Sequence, residues 1–99
     1  MTHFYILTDG RPTPEPDLQK WGSWMEDQES RKVAYTVIDE VSISTVFLGL
    51  DYNFGEGEPI LYETMTFGGV HNGEIVRYHT KEEALKGHES LVASLKNNA

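Results

Sequence analysis

The chain has 99 residues, no cysteine, and sixteen acidic against eight basic side chains, for a net charge of −8. The length fits a single domain spanning residues 1–99 with a small core that a second subunit would help to complete. Missing thiols exclude disulfides, thiolate chemistry and Cys-based zinc sites. The acidic balance opposes binding to a nucleic-acid backbone, because that binding rests on neutralising phosphates with Lys and Arg. It leaves room for a small phosphorylated ligand, which needs only two or three positive groups.

In chain order, "HFYILT" at 3–8 predicts a strand, and the apolar run is too short and lacks the basic flank of a signal peptide. The following "TDGRPTPEP" reads as turn and loop, because its prolines cannot donate ladder hydrogen bonds. From Asp17 to about Glu29, Leu18, Trp21 and Met25 recur at i, i+3 and i+7, which predicts a short amphipathic helix weakened by Gly22. "KVAYTVIDEVSISTVFLGL" predicts two strands joined at Asp39-Glu40, with period-2 alternation in Val33-Tyr35-Val37 and in Val41-Ile43-Thr45-Phe47.

"PILYETMTF" predicts a further strand with Leu61, Glu63, Met65 and Phe67 on its apolar face and Tyr62, Thr64 and Thr66 on the other. "GGVHNG" is a turn and "EIVRYH" closes a hairpin. Thr80 and Glu83 match a capping box, and Ala84, Leu85, His88, Leu91, Val92 and Leu95 form the apolar stripe of a last helix before "KNNA" frays. The predicted order is β-α-β-β-β-β-α: an α+β fold, mostly antiparallel sheet with two helices on one face. No run approaches the ~18 apolar residues of a membrane span, so a soluble cytoplasmic protein is the expectation.

The block "STVFLGLDYNFGEGEPILYETMTFGG" followed by "RYHTKEEALKGHESLV" resembles a group of small bacteriophage and prophage proteins of unassigned activity. In that group a similar "STVFLGLDH-FG-G-P-LFETM-FGG" block precedes a "RY-T-EEA--GH" helix, and the likeness covers roughly residues 18–92. Tyr52 stands where the group carries His, so a metal or acid–base role at that position does not carry over. The resemblance implies an accessory protein acting in the cytoplasm of an infected bacterial host. By analogy it implies sequestration of nucleotide-derived defence signals.

Chemistry in the residues is sparse. Asp51, Asn53, Glu56 and Glu58 supply oxygens, but counting from Asp51 puts Gly55, Glu56 and Tyr62 where an EF-hand needs an oxygen ligand, Gly and Glu. The four histidines show no ligand spacing, there is no nucleophile elbow, and no cofactor motif is present, so a non-enzymatic protein is expected. Glu63 is the anomaly, a carboxylate between Leu61 and Met65, with Arg77 as its expected partner across the hairpin. Gly87 allows close approach beside His88, which reads as a core histidine. Trp21, Phe47 and Phe67 read as core, whereas Tyr52 and Phe54 alternate with Asp51 and Asn53 in a loop and read as contact residues.

The expected ligand-binding set is therefore Tyr52, Asn53, Phe54, Glu63 and Arg77, with Arg11 or Lys81 as further phosphate contacts. The expected partner is a small nucleotide-like ligand, held by a homo-oligomer. Two alternatives stand beside it: an acidic inhibitor of a host protein, and a small hydrolase using Glu63 and a histidine.

Overall fold

A computed structural model of the chain describes residues 3–53, 55 and 57–97. Two antiparallel sheets and three helices build an α+β fold. β1 (Tyr5–Thr8) and β2 (Arg11–Pro14) form a separate hairpin, where loop was expected for the second strand. Asp9 and Gly10 join them, both at positive φ (53° and 79°), as a tight two-residue hairpin turn requires.

The prolines are accommodated by register. Pro12 and Pro14 face Leu7 and Tyr5. The Tyr5 N–H points away from β2 to the Gly49 carbonyl (2.9 Å), so at these pairs no ladder donor is missed. Glu15 N–H then donates to Phe4 O (2.9 Å) at the next pair.

The helix expected from 17 to 29 is broken into two. α1 (Leu18–Met25) is capped by Asp17, whose carboxylate accepts the Gln19 and Lys20 N–H groups. Asp27 interrupts the run. Its side chain accepts both the N–H and the hydroxyl of Ser30 and starts a new turn, α2 (Gln28–Arg31). α1 packs on β1, and the Trp21 indole N–H reaches the Gly49 carbonyl at 2.8 Å, so helix and hairpin are both tied to the chain at residues 49–51.

The main sheet has the order β3-β4-β5-β6, with β3 (Lys32–Ile38), β4 (Val41–Phe47), β5 (Tyr62–Phe67) and β6 (Ile75–Tyr78). β3 and β4 are joined at Asp39-Glu40, as expected, with Asp39 at φ 54°. α3 (Lys81–Asn97) crosses one face and touches all four strands. Its N-terminus is the expected capping box, with Glu83 N–H donating to the Thr80 hydroxyl (3.1 Å) and Thr80 N–H to Glu83 Oε1 (3.0 Å). The helix continues through Lys96 and Asn97, where fraying was expected.

The face of β5 is the main correction. Tyr62, Thr64 and Thr66 lie buried under α3, while Glu63, Met65 and Phe67 stand on the opposite, uncovered face. Phe67, expected in the core, is exposed. The core gathers Phe47, Leu61, Tyr62 and Ala84, flanked by Tyr5, Leu7, Trp24, Val33 and Tyr78. Edge-to-face contacts link Trp24 to Phe47 (5.7 Å) and Phe47 to Tyr62 (5.4 Å).

Candidate functional site

Three of the expected contact residues meet at the β6 edge of the uncovered face. Glu63 and Arg77 are direct cross-strand neighbours, and Arg77 Nε–H donates to Glu63 Oε2 at 3.0 Å. The Tyr52 ring comes from the loop between β4 and β5 and lies against the same guanidinium, 4.6 Å from centroid to Cζ. The Glu63 side chain keeps 14% of its exposure against 43% for Arg77. The anomaly is thereby resolved: the carboxylate sits on the open face, partly covered and paired.

Asn53 does a different job. Its Nδ2 donates to the Glu58 carbonyl (2.8 Å), and its Oδ1 accepts the Gly55 N–H (3.1 Å). Asp51 Oδ1 accepts the N–H groups of Asn53 (2.7 Å) and Ile60 (2.9 Å). These side chains brace the loop from inside. Tyr52 N–H donates to Ile60 O at 3.1 Å, so the ring that meets Arg77 is carried on a short, hydrogen-bonded platform. Phe54 and Glu56 lie outside the described residues.

Arg11 and Lys81 stand elsewhere, on opposite walls of a cleft of about 240 Å³ between the hairpin and the start of α3. Tyr62, His79, Thr80 and Glu82 line it too. His79 Nδ1 lies 3.0 Å from the Pro59 carbonyl, so that nitrogen carries the proton and donates it. Burial pushes the Tyr62 phenol above its ordinary value, and the negative charge of Glu82 adds to the effect. A cleft with Tyr62 in its wall was not legible, because the hairpin that closes it was read as loop.

His88 is buried on α3, as expected, and its partners were the unforeseen part. Nε2 lies 2.8 Å from the Thr36 hydroxyl, and Nδ1 lies 2.7 Å from that of Thr45. Thr45 in turn meets Thr64 at 2.5 Å. Burial holds the imidazole below its ordinary value, with Glu89 pulling weakly the other way. Both ring nitrogens are engaged inside the protein, so this is a structural histidine.

Among the described residues no group of three or more His, Asp or Glu side chains is arranged to hold a metal ion, and no helix is long and apolar enough to cross a membrane. No protein-family model, curated protein or solved structure matches the chain.

Proposed function

We propose that this protein is a non-enzymatic accessory protein that captures a small nucleotide-derived ligand, acting as a sponge for such a signal in the cytoplasm of an infected bacterium. The observation that carries the reading is the convergence of Tyr52, Arg77 and Glu63 from three separate segments. A phenol ring and a guanidinium plane offer stacking surfaces to a base. A guanidinium carries five N–H donors, of which the Glu63 bond uses one, so it also suits a phosphate. Glu63 accepts from ribose hydroxyls or an exocyclic amine. The resemblance to phage proteins supports the same reading.

The test is a thermal-shift and calorimetric screen against cyclic di- and trinucleotides, cyclic ADP-ribose isomers and NAD, with mass spectrometry of the recovered compound. Ligand at a hundredfold excess over its dissociation constant should stabilise the fold by about 2.7 kcal/mol and be recovered intact. Arg77→Glu should abolish the shift. If Arg77→Glu binds normally while Lys81→Glu does not, the site is the Arg11–Lys81 cleft. Recovery of a cleaved compound would establish a hydrolase, and no shift with any compound would favour the acidic inhibitor of a host protein.

A further inference from the structure

The uncovered face of the four-stranded sheet is more apolar than an outer face should be. An antiparallel sheet with one solvated side normally alternates apolar-in with polar-out. Here Tyr35, Val37, Phe67 and Ile75 are 60%, 57%, 46% and 43% exposed, and all four project from this side, with Val46 and Met65 half-buried among them. The side turned toward α3 carries Thr36, Thr45, Thr64 and Thr66 beside Ile43, Phe47 and Tyr62. Among the described residues no other helix or strand makes extensive contact with the apolar side.

Size points the same way. The accessible surface is 6622 Å². That is about 900 Å² more than a folded monomer of 11.2 kDa exposes. The radius of gyration is 14.5 Å, against about 13 Å for a compact chain of this length. The excess belongs to the whole elongated chain, and a specific interface of ordinary size removes about 800 Å² from each partner.

Charge selects the occupant. On a chain of net charge −8, the described strands carry one carboxylate on this side, Glu63, and Arg77 neutralises it. Lys32, at the margin, is paired with Glu29. A basic partner would be drawn to the acidic turns and helices instead. A second copy of the same acidic chain can approach closely only where neither copy presents net charge, and this side meets that condition for both.

We infer that two copies pack these sides against each other about a two-fold axis, giving four layers in the order α-β-β-α with the sheets about 10 Å apart. The inference needs no nucleotide, but the Glu63–Arg77 pair it uses is also part of the proposed ligand site, so the two readings share the β6 edge of this side.

Sedimentation velocity across a dilution series tests it. The wild-type chain should run at twice 11.2 kDa, as much in high salt as in low. Phe67→Glu and Val37→Lys alter side chains that are exposed in the single chain, so each should halve the mass while circular dichroism is unchanged. Val70→Glu, at a turn residue 99% exposed and off the sheet, should leave the dimer intact. Should a face variant misfold, cross-linking decides: the chain has no cysteine, so Ser44→Cys, in the middle of this side, should give a covalent dimer with a short bismaleimide and Ser90→Cys on α3 should not. A wild-type monomer at every concentration, an oligomer that survives both face variants, or equal cross-linking of the two cysteine variants would overturn the inference.

Discussion

The Nδ1 atom of His88 lies 2.7 Å from the hydroxyl of Thr45, although 43 positions separate the two residues. The contact fixes α3 over β4, and Thr36 and Thr64 extend it to both neighbouring strands. Four side chains from four elements thus share one buried polar chain, and none of its atoms lacks a partner.

Acid should weaken this fold through His88. Burial lowers its folded-state value below 6.5. Above 6.5 the ring is neutral in both states and the contribution is complete. As the pH falls below 6.5, the unfolded chain takes up the proton first, so stability declines until the lowered folded value is passed. Urea midpoints measured from about pH 7 to about pH 5 should fall, and His88→Gln should flatten the slope. Equal slopes in the two proteins would show that other groups dominate.

Thr45→Val keeps the shape of the side chain and removes the hydroxyl between His88 and Thr64. The loss should be about 1–3 kcal/mol, the cost of stranding buried polar groups. For a domain of this size that corresponds to several degrees or more in Tm. A change within experimental error would mean that His88 finds another partner.

At Gly87 two effects oppose each other. Alanine favours a helix interior by about 1 kcal/mol over glycine. Its Cβ, however, would run into the Tyr78 hydroxyl and ring. Displacing a packed aromatic costs about 1–3 kcal/mol. Gly87→Ala should therefore be net destabilising in urea unfolding, and a stabilised protein would show that Tyr78 moves aside freely.

Asp51→Ala removes the acceptor shared by the Asn53 and Ile60 N–H groups. With that brace gone the Tyr52 ring should leave Arg77. Ligand affinity should drop at least tenfold, a loss of about 1.4 kcal/mol, although no contact residue has changed. Calorimetry with the compound found in the screen checks this, and unchanged affinity would separate the loop from the site.

What was legible in the sequence follows from which signals compete. Val41-Ile43-Thr45-Phe47 alternates cleanly, and the Thr80–Glu83 box marks a helix start, so these elements were read correctly. The β1-β2 hairpin was missed although Asp9-Gly10 announces it, because Pro12 and Pro14 argue against a strand and register alone shows that their nitrogens face away from the ladder. The faces of β5 were inverted because Leu61, Met65 and Phe67 outweigh Tyr62, Thr64 and Thr66 on any scale of hydrophobicity. The meeting with His88 through Thr45, far along the chain, is what satisfies the buried hydroxyl of Thr64. Of the contact residues, the Glu63–Arg77 pair was readable from hairpin register, whereas the approach of Tyr52 depends on the folding of a loop.

A sheet with apolar side chains above and below has two ways up. Hydrophobicity chooses at β4, where Ile43 and Phe47 face α3 and Ser42 and Ser44 face away, but argues the other way at β5, and a slip of one residue would exchange the two sides of a strand. The threonines weigh in at β3 and β5, since turning the sheet over would bring Met65 and Phe67 to the helix and take Thr36, Thr45 and Thr64 away from the imidazole. Orientation in this protein is thus encoded jointly by the apolar residues of β4 and by a few hydrogen bonds, and repacking the His88 layer with aliphatic residues should weaken the preference for one arrangement without preventing collapse.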